Sequence, residues 1–464
     1  MVATTSLDLA YLTAVEAGQL FRKGSLSPVE LTEFYLKRID DLNPSLKAYI
    51  TPTPELALEQ AKAAEAAIQQ GDPRPLLGIP IAHKDIILTD GIRTTGGSAV
   101  YKDWIPDFTA TAIEKLADAG MVMLGKLSTN EFAFGLSTDD HPFPPARNPW
   151  NLERIPGGSS SGSGTALAAG LTIGALGTDT GGSIRNPGAL SGIAALKATY
   201  GRCSRYGVLS LSWSMDHIGP MARTCEDAAL MLQAMAGYDP KDPASATVPV
   251  GDYITDLKAG VKGLKLGVIK SMYEATATPE SVAAFDQAVK VLSELGAEVS
   301  VVEIKSLAQL ETSRIAIHAE AYAYHAHTLQ HSPQLYPADL RHRFLMGGLY
   351  SAQEYIDAQR ARLTIRNEVD ALFEDFDGLL SPTYGATAPT FADAHRMTFG
   401  FRPGYTQLFN TTGQPAITVP CGFGADGLPL SLQIAGRAFD EAMVLRIAHA
   451  YEQATPWHLE RPSL

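Results

Sequence analysis

Between residues 156 and 188 the chain reads PGGSSSGSGTALAAGLTIGALGTDTGGSIRNPG, and no other stretch limits the possible fold so severely. Its glycine and serine density matches that of a flexible linker. Yet it encloses Ala166, Leu167, Ala168 and Ala169, which favour a helix, and LTIGALGTDT, which has the apolar character of a buried strand. A linker separates domains, whereas this segment sits among core elements. The small residues are therefore expected where backbone and hydroxyl groups approach something closely.

The surrounding sequence alternates. LLGIPIAHKD (76–85), MVMLGK (121–126) and LKLGVIK (264–270) read as strands, as do AEVSVVEI (297–304), AITVPCG (416–422) and LSLQIAG (430–436). PESVAAFDQAVKVLSEL reads as a helix between two of them, and another is expected from about residue 439. The first seventy residues read as helices packed on the body. Ser27-Pro28-Val29-Glu30 is a capping box with proline at the first helical position, and Val29, Leu31, Phe34, Tyr35 and Ile39 follow at helical spacing. Residues 310–375 read as a polar, aromatic helical segment lining the entrance to a substrate site. With no repeat and no sharp boundary, residues 1–464 are expected to form one α/β domain: an α/β/α sandwich with a central mixed, twisted sheet covered by helices on both sides.

Charge and cysteine usage exclude several function classes. Against 37 basic residues stand 50 acidic ones, a formal balance of −13. No basic run offers a face for nucleic acid or an anionic membrane. Three scattered cysteines, Cys203, Cys225 and Cys421, make neither a disulfide framework nor a zinc cage. The N-terminus lacks the basic start and apolar core of a signal peptide, and no apolar run reaches the roughly 20 residues of a spanning helix. The expectation is a cytoplasmic chain with no metal and no cofactor.

Three motif matches compete for the chemistry. GMVMLGKLST (120–129) nearly spells a phosphate loop, but Leu127 stands where a magnesium-binding hydroxyl is needed. His318, His325, His327 and His331 crowd one segment without an acidic cluster to complete a metal site. Gly158-Ser159-Ser160-Ser161-Gly162 fits the nucleophile elbow of α/β-hydrolases, with Ser160 as nucleophile. In a segment so rich in both residues, that match carries little weight.

A larger combination does better. GGSSSGSG at 157–164, GTDTGGSIRNPG at 177–188 and GIPIAHKDI at 78–86 together resemble the amidase signature family. LGKLSTNEFAFG, ARNPWN, GPMAR and GQPAITVPCG resemble further family blocks in the same order, so the likeness runs from about residue 8 to 455. The resemblance implies a Ser–cis-Ser–Lys triad. Ser183 aligns with the nucleophile, Ser159 with the bridging serine in a cis peptide bond, and Lys84 with the base. Ser161 departs from the glycine found in most relatives.

These roles make chemical sense. A serine hydroxyl needs a base, and lysine serves as one only when burial keeps it neutral; Lys84 follows the apolar LLGIPIA. The amides of Thr180, Gly181, Gly182 and Ser183 are unobstructed by bulky side chains and are expected to cradle an oxyanion. Asp179 and Arg185 read as a structural pair. Phe132, Phe134, Gly135 and Phe401 are expected to bind substrate. The implied reaction is C–N bond hydrolysis of aryl or small neutral amides, extending to esters and carbamates (urethanes), by a monomer or homodimer acting on small molecules without nucleic acid or membrane. The alternative is a glutaminase subunit of the glutamyl-tRNA amidotransferase A type. In that branch an acid precedes the N-x-x-G-x-P-A-I block; the corresponding place here falls near Pro403, with no acid.

Overall fold

The computed structural model describes residues 8–134, 141–396 and 405–464. Eleven strands form one sheet: β1 (Tyr49–Pro52), β2 (Pro80–Lys84), β3 (Val122–Leu127), β4 (Gly174–Asp179), β5 (Ala194–Lys197), β6 (His217–Ala222), β7 (Lys265–Val268), β8 (Glu298–Val301), β9 (Gly378–Pro382), β10 (Ala416–Phe423) and β11 (Pro429–Ala435). Their spatial order is β1-β3-β2-β4-β6-β5-β10-β11-β9-β7-β8. The sheet is mixed. β3, β2 and β4 run parallel at one side, β9, β7 and β8 parallel at the other, and antiparallel pairs join them. Helices cover both faces, so the inner strands are buried along their whole length and read as apolar runs. The expected α/β/α sandwich is the fold observed.

The N-terminal helices Ala14–Arg22, Pro28–Leu46 and Pro54–Gln69 form as the sequence suggests. The Ser27 hydroxyl accepts from the amides of Val29 and Glu30, while the Glu30 carboxylate accepts from the Ser27 amide. One strand hides among them: β1 pairs antiparallel with β3 and closes one edge of the sheet. Residues 310–375 give three helices, Leu310–His331, Ala338–Gly347 and Ala352–Leu372, the second and third each packed against the first. Among the described residues no helix is long and apolar enough to cross a membrane.

The parallel pairing of β2 with β4 sets up the site. Ile81 is opposite Gly174 and His83 opposite Leu176, so Lys84 and Asp179 leave the sheet at the same edge. The carboxyl ends of adjacent parallel strands are where open α/β sheets bind ligands. Between β3 and β4 the chain forms the Gly/Ser segment and then the helix Ser161–Ala168, every residue of which is buried. Gly162 permits that burial. A Cβ there would collide with the Ser128 amide nitrogen and the Ala48 carbonyl oxygen, both fixed backbone atoms.

Gly162→Ala is therefore expected to cost about 1–3 kcal/mol of stability, the usual range for overpacking a rigid site. Ser161→Ala, which removes only a long 3.5 Å contact to the Ser128 carbonyl, is expected to cost under about 1 kcal/mol. Equilibrium urea denaturation of the two variants beside the parent checks the order; equal midpoints would refute the packing argument.

Candidate active site

Lys84 is the last residue of β2 and is fully buried. Its Nζ lies 2.6 Å from Ser159 Oγ and 2.7 Å from Thr178 Oγ1. Burial pushes the amine down to about 7, against the opposing pull of the Asp179 and Asp216 carboxylates. A lysine in this setting has an appreciable neutral fraction near neutrality and can accept a proton.

Ser159 follows a cis peptide bond with Gly158. Its carbonyl accepts from the Asn130 amide at 3.1 Å, while the next amide, that of Ser160, donates to the Ser183 carbonyl at 3.2 Å. The two glycine-rich stretches are thus stitched together by backbone. Ser160 itself points away from the open site. Its hydroxyl is buried, donates to the Thr178 carbonyl at 3.2 Å and accepts from the Thr178 amide at 3.2 Å. That double contact removes it as an elbow nucleophile.

After β4 the chain turns through Thr180, Gly181, Gly182 and Ser183 and enters the helix Arg185–Ser191. Asp179 organises the turn. Its carboxylate accepts from the amides of Gly182 (2.7 Å), Ile184 (3.2 Å) and Arg185 (3.4 Å), and from the Arg185 guanidinium at 3.0 and 3.1 Å. Burial alone would raise this carboxyl, but the Arg185 charge and its hydrogen bonds hold it well below the usual carboxylate range. The expectation of four oxyanion donors needs correcting at one place, because the Gly182 amide is spent on Asp179. Gly182 matters instead for shape: its φ is +126°, and a Cβ would collide with Thr406 Oγ1. The amides of Thr180, Gly181 and Ser183 have no protein acceptor among the described residues. Thr180 is braced from behind, its hydroxyl donating to Asp216 at 2.5 Å.

Ser159, Ser183, Thr180 and Gly181 line one cavity of about 510 Å³. Phe134 also faces it, stacked on Phe344 and covered by the Arg343 guanidinium 3.9 Å from its ring centroid. Phe132 does not. It is buried in an aromatic cluster with Tyr101, His325 and Tyr336, so its expected contact with substrate is withdrawn in favour of core packing. Gly135 and Phe401 lie outside the described residues. Helix Leu310–His331 forms one wall of this cavity through Leu310, Glu311, Arg314, Ile317 and His318. The charged members were missed in the sequence because they look like any exposed helical residues. Burial, reinforced by Arg343 and Arg314, pushes His318 down to about 4, so it is neutral. Among the described residues no group of histidine, cysteine or carboxylate side chains could hold a metal. Lys126, the lysine of the apparent phosphate loop, is buried at the end of β3 and donates to the Ile87 carbonyl and Thr94.

Known proteins resemble this chain over nearly its whole length. The A-subunit of glutamyl-tRNA(Gln) amidotransferase from Geobacter metallireducens is 41% identical, covering 99% of this chain and 100% of that one. The A-subunit of the same enzyme from Thermotoga maritima superposes with a TM-score of 0.81 at 33% identity, covering 97% and 96%. A structure described as an unexpected vestigial protein complex that reveals the evolutionary origins of an s-triazine catabolic enzyme superposes with a TM-score of 0.91 at 32% identity, covering 98% and 100%. These relatives overturn the expectation of a monomer or homodimer that never meets nucleic acid. They are named as subunits or as a complex, and tRNA stands in the name of two of them. The expectation rested on one chain's net charge of −13, which carries no information about the surface of any partner. A family model described as Amidase matches residues 30–445, and with the cis Gly158–Ser159 bond set against Lys84 the chain belongs to the amidase family, the amidase-signature hydrolases with a Ser–cis-Ser–Lys triad.

Proposed function

We propose that this chain is an ammonia-releasing glutaminase of the amidotransferase A type, acting as one member of a larger assembly. The chemistry rests above all on the 2.6 Å approach of Lys84 Nζ to Ser159 Oγ in the cavity that Ser183 shares. The substrate class rests on relatives about 40% identical along nearly the whole chain and on a wall that carries Glu311, Arg314 and Arg343.

In the reaction neutral Lys84 accepts the Ser159 proton while Ser159 accepts that of Ser183, and Ser183 Oγ attacks the carbonyl carbon of the side-chain amide. The oxyanion is met by backbone amides of the 180–183 turn, Gly182 excepted. The Ser159–Lys84 relay then returns the proton to the leaving nitrogen, ammonia departs and an acyl ester on Ser183 remains. Water, deprotonated through the same relay, releases the acid and restores the hydroxyl.

A second reading is favoured by the superposition at TM-score 0.91 and by the missing acid near Pro403: a catabolic hydrolase of a small nitrogen-rich amide, still working within a complex. Ammonia release decides between them. The chain purified with its associated partners is expected to liberate ammonia from glutamine in preference to neutral amides and p-nitroanilides. Inert glutamine beside a readily cleaved neutral amide would sink the glutaminase reading.

Two further outcomes are expected. Ser183→Ala and Lys84→Ala each lower turnover by on the order of 10³-fold or more, whereas Ser160→Ala retains labelling by a fluorophosphonate; loss of labelling only in the Ser160 variant would refute the assignment. The kcat/KM profile reports the free enzyme. Because the working base is the neutral amine, the rate rises with pH through about 7 as Lys84 loses its proton and levels off above. A flat profile from pH 5 to 9 contradicts a lysine base.

A further inference from the structure

Between Asp179 and Ser183 the turn carries one side chain by which it can be gripped, that of Thr180, because Gly181 and Gly182 follow it. What grips it is Asp216, the residue immediately before β6. Strands β4 and β6 pair antiparallel with Asp179 opposite His217, so the next residues outward along the two chains are Thr180 and Asp216. One carboxylate oxygen of Asp216 accepts from the Thr180 hydroxyl at 2.5 Å and the Ser212 amide at 3.0 Å. The other accepts from the Ser210 hydroxyl at 2.8 Å and from the amides of Leu211 and Ser212 at 2.9 and 3.1 Å. The bonds from residues 210–212 build the loop before β6 and have no need of Thr180. The Thr180 bond serves the turn, and its length is that of a charge-assisted hydroxyl–carboxylate contact.

We propose that Asp216 is a positioning residue for the hydrolysis, holding the Thr180 side chain so that the Thr180 amide points at the oxygen that becomes the oxyanion. Other parts of the turn are pinned from elsewhere. The Gly182 amide donates to Asp179 at 2.7 Å, and the Gly181 carbonyl accepts from the Thr406 hydroxyl at 2.7 Å. The Thr180 amide has no protein acceptor among the described residues, so no bond of its own fixes its direction. That direction is set through its side chain. Thr180 and Leu211 line the cavity, whereas Asp216 is not among the described residues of its wall, so the carboxylate acts through Thr180 rather than on substrate. A donor aimed in advance at developing charge lowers the barrier without tightening the ground state. The proposal rests on the reading of the 180–183 turn as the oxyanion cradle of a Ser183 nucleophile; it does not depend on which amide is cleaved.

The test is a double-mutant cycle on the chain with its associated partners. Asp216→Asn keeps an acceptor for the loop amides but loses the charge. Thr180→Val keeps the branched shape and deletes the hydroxyl, removing the same bond from the other side. Ammonia release from glutamine gives kcat and KM, and the rate at which a fluorophosphonate labels Ser183 reports the turn whatever the amide. Assays at about pH 9 stand above the titration of Lys84, pushed down to about 7, so loss of the nearby Asp216 charge leaves the base neutral in every variant. Each single variant is expected to lose between roughly tenfold and a hundredfold in kcat and in labelling rate, with KM within about threefold of the parent. The double variant is expected to fall no more than about threefold below the weaker single one. Parental kcat and labelling rate in Thr180→Val, a rise in KM alone, or losses that multiply in the double variant would each overturn the proposal. Should Asp216→Asn not fold, Thr180→Val decides alone, since the Thr180 hydroxyl is bonded to Asp216. Labelling that persists in Ser183→Ala would instead overturn the nucleophile reading beneath it.

Discussion

A buried carboxylate holds the turn from Thr180 to Ser183 in place, and much of the chain is arranged to satisfy it. Asp179 ends β4 and receives three backbone amides, the Arg185 guanidinium and the Asn410 side chain, the last at 2.8 Å. Arg185 in turn donates to the Thr406 carbonyl at 2.9 Å, Gln433 Oε1 at 2.8 Å and Asn410 Oδ1 at 2.6 Å. Taking two charges out of water is expensive, and such a pair survives only when its remaining hydrogen-bonding groups are met. Here they are met by residues from 406 to 433, more than 200 positions away in sequence. The last strand, through Gln433, and the helix Gln407–Thr412, through Asn410, thereby brace the turn after β4.

Lysine chemistry imposes the opposite demand. Asp179 and Asp216 are near enough to raise the Lys84 amine, but burial prevails and lowers it to about 7. The fold resolves this by aiming both carboxylates at other donors. Asp179 is saturated by Arg185 and the turn. Asp216 accepts from Thr180 and Ser210 hydroxyls and from the amides of Leu211 and Ser212. Lys84 is left to hydrogen-bond with two neutral hydroxyls, those of Ser159 and Thr178. An uncharged amine is the form best suited to that company.

Legibility of the sequence followed the strength of the local signal. The capped helix at Pro28–Leu46, the unit from Lys265 to Val301 and the closing helix announced themselves through caps and periodicity. Strands β1, β5, β6 and β9 did not. β1 reads YITP and ends in proline, and β5 reads AALK, a composition that favours helix. β6 reads HIGPMA, and an internal proline argues against a central strand. The structure explains the exception: β5 pairs with β6 only through Met221 and Ala222, so Pro220 faces no ladder partner on that side. The triad was legible because three separate blocks matched together. The loss of the Gly182 donor was not, since it depends on where the Asp179 carboxylate turns, and the inward placing of Phe132 depends on helices two hundred residues on.

The outer helices are joined to the catalytic turn by an unbroken polar chain. Thr180 is held by Asp216, and Asp216 fixes the amides of Leu211 and Ser212. The Ser212 hydroxyl donates to Glu320 at 2.6 Å, as does that of Ser214 at 2.7 Å and that of Tyr355 at 2.9 Å. Arg362 closes the circuit on Ser214 and the Thr411 carbonyl. Glu320 belongs to the helix that also carries Glu311 and Arg314 nearer its start, while Tyr355 and Arg362 lie on the helix packed against it. A side chain's position in a packed protein is only as definite as that of the element bearing it. Here the wall of the cavity and the turn from Thr180 to Ser183 are set by one network, so a shift of the helix relative to the sheet would have to break several charge-assisted bonds at once.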